Sequence, residues 1–423
     1  MGFAPPRGTL DLLPPAGGRM RAVYDRAAEL ARRYGYRYVE TPAFEHTEVF
    51  SRTSGETSDV VSKEMYTFED RSGRSLTLRP EGTAPVIRAY LAHRAAMPGS
   101  FKAYYLTRMY RYGRPQAGRY REHRQFGVEV VGVAEPGADV EVIVVGNELL
   151  RGLGLSRYEL QVNSIGDEVC RPAYREELVA FFASNANRLR DEHKDRFRDS
   201  PLRVLDCKDD GCRSVAVEAP RITDRLCEAC RAHFDAVLEG LRAEGLDPIV
   251  TPTLVRGLDY YTRTAFEFVS RVLSQAQATL FGGGRYDGLA EALGGPHVPG
   301  VGFGMGLERV LLAVEDEGLA PPEEPGLQAF VVGLGEAGRA AAAALLRELR
   351  SAGVRADSAY EERPLKAQLR MADRAGAAYV AIVGEREAAA SIVTLRRLVD
   401  GIQKEVPAAD VVNWLTRLDP WTE

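Results

Sequence analysis

The chain has no run of eighteen apolar residues, little lysine, few cysteines and no excess of positive charge. Without such a run, no membrane span is expected. The first residues, Met1-Gly-Phe-Ala-Pro-Pro-Arg-Gly8, lack the apolar core of a secretion signal, and a cytoplasmic protein is expected. There are five cysteines, an odd number, and four of them lie between 207 and 230, which argues against a disulfide framework. The net charge is −5, so any nucleic-acid partner has to be held by local basic patches. Six lysines stand against 49 arginines, so arginine supplies nearly all the positive charge. What is present fits a soluble globular chain. Its 423 residues are 45% hydrophobic and 27% charged, enough for two or three domains.

One stretch breaks the even spread of charge. From Arg108 to Arg124 there are six arginines and one acid, interrupted by two glycines and a proline. Neither helical nor alternating periodicity survives there. Apolar runs flank it, Phe101 to Tyr110 and Phe126 to Val133, so a long arginine loop between two antiparallel strands is expected. Guanidinium forks pair with phosphate oxygens in a planar, bidentate way, and such a loop can fold over a polyanion. A solvated surface hairpin is the plain alternative, but it would normally mix in acids.

Other candidates follow along the chain. Helical spacing over Arg19–Tyr34 ends at Gly35, and a strand leads to Pro42. Residues 51–64, mostly polar, read as a loop. Glu81 and Thr83 sit at a strand-to-helix junction, where they either cap the helix or face a ligand amine. Gln125 and Glu129 share one face of a strand with Gly127, and a polar pair there asks for a polar ligand. Cys207-x4-Cys212 and Cys227-x2-Cys230 have the spacing of two knuckles of one tetrahedral zinc site, with reduced structural thiols as the alternative. Cys170 reads as a lone structural thiol. Arg256, Asp259, Tyr260 and Tyr261 surround a bend into a strand. Adjacent tyrosines in a strand point opposite ways, so only one of the two is expected in a given pocket. Gly302, Gly304 and Gly306 pave one strand face, leaving room for a flat ligand such as a purine. After a proline-rich linker at 316–326, strand and helix alternate in a mainly parallel α/β domain. Gly333-x-Gly335-x-x-Gly338 with Asp357 matches a dinucleotide fingerprint, but the domain is short for a full dinucleotide fold.

Taken together, these motifs resemble the class II aminoacyl-tRNA synthetases. Pro42 closes the first motif, the Arg111 loop is the second, and Gly304-Met-Gly-Leu-Glu-Arg309 is the third. Leu254-Val-Arg-Gly-Leu-Asp-Tyr-Tyr261 and Gly283-Gly-Arg-Tyr-Asp-Gly-Leu289 resemble the two motifs peculiar to the histidyl-tRNA synthetase family. Arg7-Gly-Thr9, Leu78-Arg-Pro-Glu-Gly-Thr-Ala84 and Gly113-Arg-Pro-Gln-x-Gly-Arg-Tyr-Arg-Glu122 match it too. One departure is His123-Arg124, where the family shows Phe-His.

The resemblance implies an α+β class II catalytic domain, an antiparallel six-stranded sheet with flanking helices, plus a C-terminal α/β anticodon-binding domain. The implied boundaries are 1–166 and 251–320 for the two catalytic parts, 167–250 for a mostly helical insertion, and 326–423 for the anticodon-binding domain. It implies histidine–tRNA ligation, in which ATP and L-histidine give the adenylate and tRNA(His) accepts the histidine. Mg²⁺ would accompany ATP, and the molecule would be a homodimer; the cysteine spacing, not the resemblance, is what suggests a structural Zn²⁺ on Cys207, Cys212, Cys227 and Cys230. Arg111 and Arg256 would be catalytic, and with Arg119 and Arg309 would bind ATP. Glu81, Gly82, Thr83, Gln125, Glu129, Tyr260, Tyr261 and Tyr286 would bind histidine. Arg114, Arg121 and Arg124 are left for the acceptor end of the tRNA.

Overall fold

The computed structural model describes residues 3–54, 60–97, 99–207, 209–258, 260–274 and 277–416. Two compact units divide at residues 323 and 324. The first carries β1 (Arg37–Tyr38), β2 (Phe44–His46), β3 (Tyr66–Glu69), β4 (Ser75–Leu78), β5 (Phe101–Tyr110), β6 (Glu122–Val131), β7 (Tyr158–Ser164), β8 (Ile249–Val250), β9 (Thr262–Ser270), β10 (Thr279–Arg285) and β11 (Gly300–Gly306). The second carries β12 (Ala329–Gly333), β13 (Ala356–Ser358), β14 (Tyr379–Val383), β15 (Ile392–Arg397) and β16 (Gln403–Pro407).

The main sheet has eight strands in the order β1-β5-β6-β11-β10-β9-β7-β8. Its six inner strands are antiparallel throughout, as expected. The edge strands β1 and β8 add in parallel and are two residues long; β1 falls within the strand expected before Pro42, and β8 is too short to leave an alternation in the sequence. On the core face Phe268 stacks on Phe281 at 4.6 Å, and Phe281 meets Phe303 at 5.0 Å. Such ring pairs contribute about 0.5–1.5 kcal/mol each beyond their burial. Helix Pro136–Gly152 crosses this face. A side chain at Gly146 would come within 2.4 Å of the Phe281 ring, so the glycine sets how closely the helix approaches.

Helix Ala16–Arg33 buries Met20, Val23, Ala27 and Leu30 at spacings of three and four. The polar segment 51–64 expected as a loop is helical where it is described: a helix runs to Ser54 and a π-helical turn spans Val60–Glu64, and residues 55–59 lie outside the described ones. Between β7 and β8 the chain is helical, chiefly Arg171–Ser184, Asp210–Glu218 and Glu228–Ala243. Their apolar sides join the same hydrophobic cluster as the main sheet.

The second unit corrects an expectation. β13-β12-β14 are parallel, but β15 and β16 form an antiparallel hairpin beside them, so its sheet is mixed rather than mainly parallel. The helix expected over Ala408–Leu418 is described as Val411–Thr416. The glycine fingerprint here serves packing. Gly335 has φ of +70°, and a side chain at Gly338 would sit 2.5 Å from the Val383 carbonyl. Asp357 is paired with Arg350 at 3.2 Å.

Candidate active site

The register of β6 organises the site. Alternation sends Phe126, Val128 and Val130 to the core face and Gln125, Gly127 and Glu129 to the other. β11 pairs with β6 so that Gly302 lies opposite Glu129, Gly304 opposite Gly127, and Gly306 opposite Gln125. A side chain at Gly302 would meet the Glu129 carboxylate at 1.8 Å, and one at Gly304 the Gln125 amide at 1.9 Å. The paving glycines at 302 and 304 therefore hold room for this chain's own two polar side chains, not for a purine directly. Gly306 alone opens on free space. Gly302→Ala is expected to lower the melting temperature, because Glu129 has to leave its place; an unchanged melting temperature would show that the crowding is harmless.

Glu129 is fully buried. Thr83 donates its hydroxyl to Glu129 Oε1 at 2.8 Å, Tyr105 donates to the same oxygen at 3.5 Å, and Tyr286 donates to Oε2. Gln125 Nε2 donates to Tyr105 Oη at 3.1 Å. Tyr105 fits only because Gly82 and Gly127 lack side chains, which would fall 2.4 and 2.1 Å from its ring. Tyr105 is the site residue that the motifs did not reveal. An apolar strand face normally calls a tyrosine core, and only the two glycines that clear its ring could have marked it. Burial pushes the Glu129 carboxyl up to about 8, against hydrogen bonds from Tyr286 and Thr83 that pull it down.

Glu81 caps helix Thr83–Ala92, accepting from the Thr83 amide at 2.6 Å and the Ala84 amide at 3.0 Å. The capping reading is thus met, and its buried carboxylate also lies beside Thr83 and the charge of Arg111. Tyr260 and Tyr261 depart from expectation. Both are buried, with rings 4.7 Å apart, and Tyr260 reaches Tyr286 at 6.0 Å. They precede β9 in a turn, so strand alternation does not apply to them. Asp259 lies outside the described residues.

All four predicted arginines line one cavity of about 330 Å³: Arg111, Arg119, Arg256 and Arg309, with Gln125 and Gly306 at its wall. The loop between β5 and β6 is held by the Arg111 amide donating to the Arg121 carbonyl at 2.8 Å, and it turns at Gln116–Arg119. Arg111 Nε donates to the Pro80 carbonyl at 2.7 Å, Arg309 Nη1 to the Thr279 carbonyl at 2.7 Å, and Arg256 pairs with Glu267. The Nε atoms of Arg256 and Arg309 are buried with no hydrogen-bond partner. Burial first, then the charges of Arg119 and Arg111, lower the pKa of Arg309. His123 lines the same cavity. Its imidazole is drawn down to about 3 by burial and by Arg111, Arg309 and Arg119, so it is neutral.

Two arginines left for the tRNA have other partners. Arg124 is buried against Glu308 at 3.1 Å, and its amide donates to the same carboxylate. The Arg121 guanidinium lies 3.9 Å over the Tyr112 ring, and its amide donates to the Gly8 carbonyl. Arg114 is exposed. Arg285 has a role the motif did not reveal. Fully buried, it binds Asp139 and Asp287, while His233 from the inserted helices lies 3.4 Å from Asp139.

The four-cysteine site does not form. Cys207 and Cys212 gather with His193, whereas Cys227 and Cys230 gather with Cys170 and Asp167. Cys212 lies on helix Asp210–Glu218 with Cys207 ahead of it, and Cys230 lies on helix Glu228–Ala243 with Cys227 at its N-cap, and the two pairs face different neighbours. Cys170 is therefore not a lone thiol.

An antiparallel six-stranded centre, with a basic loop joining two of its strands and a glycine strand beside a buried acid, is the catalytic architecture of a class II aminoacyl-tRNA synthetase. The family model for histidyl-tRNA synthetase matches residues 8–310, and that for an anticodon-binding domain matches residues 328–418. The chain is 50% identical over 414 residues to the histidine–tRNA ligase of Moorella thermoacetica, covering 98% of each chain. It superposes on the apo histidyl-tRNA synthetase of Staphylococcus aureus with a TM-score of 0.82 at 36% identity, covering 98% of this chain and 100% of that one. A Bacillus halodurans protein described as an ATP phosphoribosyltransferase regulatory subunit/histidyl-tRNA synthetase shares the fold, with a TM-score of 0.63 at 23% identity, covering 88% of this chain and 97% of that one. The chain belongs to the histidyl-tRNA synthetase family, and its activity is the ligation of histidine to tRNA.

Proposed function

We propose that the four-arginine cavity binds ATP and that the Glu129 pocket binds the histidine side chain. The observation that carries this is a set of four guanidiniums around one cavity, two of them with buried, unpartnered Nε atoms. Arg119 pairs with Glu64 and Arg256 with Glu267, but the charges of Arg119 and Arg111 still bear on Arg309, and an anion entering the cavity relieves that repulsion. Arg111 and Arg256 act on the α-phosphate, and Arg119 and Arg309 at the β/γ end, where Mg²⁺ accompanies the phosphates. The reaction needs no general base, because the attacking histidine carboxylate is already ionised. It needs positioning and charge neutralisation in line with the leaving pyrophosphate. Glu81 with Gly82 and Thr83 takes the amino group, and Gln125 takes the carboxylate. Glu129, Tyr286 and the Tyr260–Tyr261 pair read the imidazole. The terminal ribose hydroxyl of tRNA(His) then attacks the adenylate.

The test is histidine-dependent ATP–pyrophosphate exchange followed by charging of tRNA(His). Arg309→Gln is expected to cut exchange about tenfold to a hundredfold, chiefly through the KM for ATP, since one charged contact to the leaving end is lost. An unchanged KM for ATP would remove Arg309 from the triphosphate.

We also assign residues 167–250 to an insertion domain, 326–423 to anticodon binding, and the molecule to a cytoplasmic homodimer. No helix among the described residues is long and apolar enough to cross a membrane. Tyr38, Phe44 and Phe68 support the dimer, because all three are large and exposed beside the segment that ends at Pro42. Phe44 and Phe68 form an edge-on pair at 6.2 Å on the small sheet β2-β4-β3. Phe44→Asp/Phe68→Asp is expected to shift sedimentation from dimer toward monomer. A variant that sediments as the wild-type dimer would exclude this face.

A further inference from the structure

We propose that Cys170, Cys227, Cys230 and Asp167 form a mononuclear zinc site of three sulfurs and one oxygen at the base of the helical insertion. One donor atom from each of the four residues lies within 4.8 Å of all the others. The Cys170 Sγ is 3.5 Å and the Cys227 Sγ 3.9 Å from Asp167 Oδ1. A tetrahedral ion with bonds of about 2.3 Å to sulfur and about 2.0–2.2 Å to oxygen sets ligand edges of roughly 3.5–3.8 Å. The donors are therefore already near the spacing zinc requires. They come from two places in the chain, residues 167–170 and residues 227–230, and none of the cysteines is in a disulfide.

The backbone around the sulfurs is shaped for anionic ligands. Cys170 is the N-cap of helix Arg171–Ser184, and Cys227 is the N-cap of helix Glu228–Ala243. The positive ends of both helices thus point at the cluster. The Asp167 amide donates to the Cys170 sulfur at 3.4 Å. That loop closes on the sulfur so tightly that a side chain at Gly166 would sit 2.7 Å from it, and Gly166 has φ of +65°. Arg263 Nη2 lies 3.5 Å from Asp167 Oδ2, offsetting the surplus negative charge that three thiolates and a carboxylate bring to a divalent ion.

The position gives the ion a structural task. It would tie the first helix of the insertion to its last one. The tie falls next to the histidine pocket, because Arg171 Nη2 donates to the Tyr261 carbonyl at 2.7 Å, and the Arg263 and Ile165 segments exchange backbone hydrogen bonds at 2.7 and 2.8 Å.

Metal analysis of the full chain purified without chelators tests the site. Wild-type protein is expected to contain zinc, and Cys227→Ser/Cys230→Ser one zinc per chain less. Cys207→Ser/Cys212→Ser is expected to keep that zinc, with X-ray absorption at the zinc edge giving three sulfurs and one oxygen. Zinc-free wild-type protein, a shell of four sulfurs, or loss of all zinc from Cys207→Ser/Cys212→Ser overturns the proposal. Should either double variant fold poorly, Cys170→Ser separates the possibilities, since serine keeps the hydrogen bond to Asp167 but binds zinc far more weakly. It is expected to surrender zinc to a chelator at least tenfold faster than wild type, and an unchanged rate overturns the assignment of Cys170.

Discussion

Arg256→Ala is expected to lower histidine-dependent ATP–pyrophosphate exchange by about a thousandfold, with the chain still folded. Losing one preorganised donor to charge developing in a transition state costs about 10²–10³ in rate. Arg256 carries a full charge into the cavity, so the upper end applies. Its Nη1 meets Glu267, which braces one edge of the guanidinium, while its Nε is buried with no hydrogen-bond partner. The substitution leaves Glu267 without that partner, but Thr279 still donates to its Oε2 at 3.0 Å. A small fall in melting temperature is therefore expected, not unfolding. The kinetic signature is a loss in kcat larger than any rise in KM for ATP, because the contact tightens as charge builds on the α-phosphate. Exchange near the wild-type rate in a folded variant would remove Arg256 from the chemistry and with it the proposed division of the four arginines.

The arginine loop, the Gln125–Glu129 pair and the glycine strand were legible because each violates a composition rule. Six arginines in seventeen residues, or acids on an apolar strand, need a reason. Other features obey such rules and so hide. Tyr105 reads as core until Gly82 and Gly127 are placed under its ring. Arg285 reads as part of a ligand motif but is enclosed by Asp139 and Asp287. The paired tyrosines lie one and two residues before β9, where strand alternation does not apply. The cysteines hide for another reason. Spacing along the chain tells which thiols can share an ion but not which knuckles the fold brings together, and Cys170 stands far from the others in sequence. β1 lies within the strand expected before Pro42, whereas β8 hides because two residues carry no period.

Glu129→Gln is expected to reduce kcat/KM for histidine about a hundredfold to a thousandfold while making the empty protein more stable at neutral and alkaline pH. Both effects follow from one buried carboxyl. Gln is nearly isosteric: its amide oxygen can accept from one of Thr83 and Tyr286, which donate to different oxygens of Glu129, and the other hydroxyl can turn to accept from the new amide N–H, so the pocket should keep its shape. What disappears is the anionic acceptor for an imidazole N–H, and an amide donor left facing that nitrogen is a further penalty. The stability sign runs the other way. Burial lifts the Glu129 carboxyl from 4.5 in the unfolded chain to about 8 in the folded one. Between those values the folded protein holds a proton that the unfolded chain has released. Stability from this group is therefore undiminished below about pH 4.5, falls as pH rises, and stops falling only above about pH 8. The loss across that window is on the order of 5 kcal/mol, and Gln removes it. Melting temperatures from pH 5 to 8.5 should diverge, with wild type falling relative to the variant and the gap closing as saturating histidine is added to wild type alone. Parallel pH profiles would mean that Glu129 is ionised in the empty pocket. The affinity for histidine would then come from its standing charge, and no stability would be held back in the free enzyme.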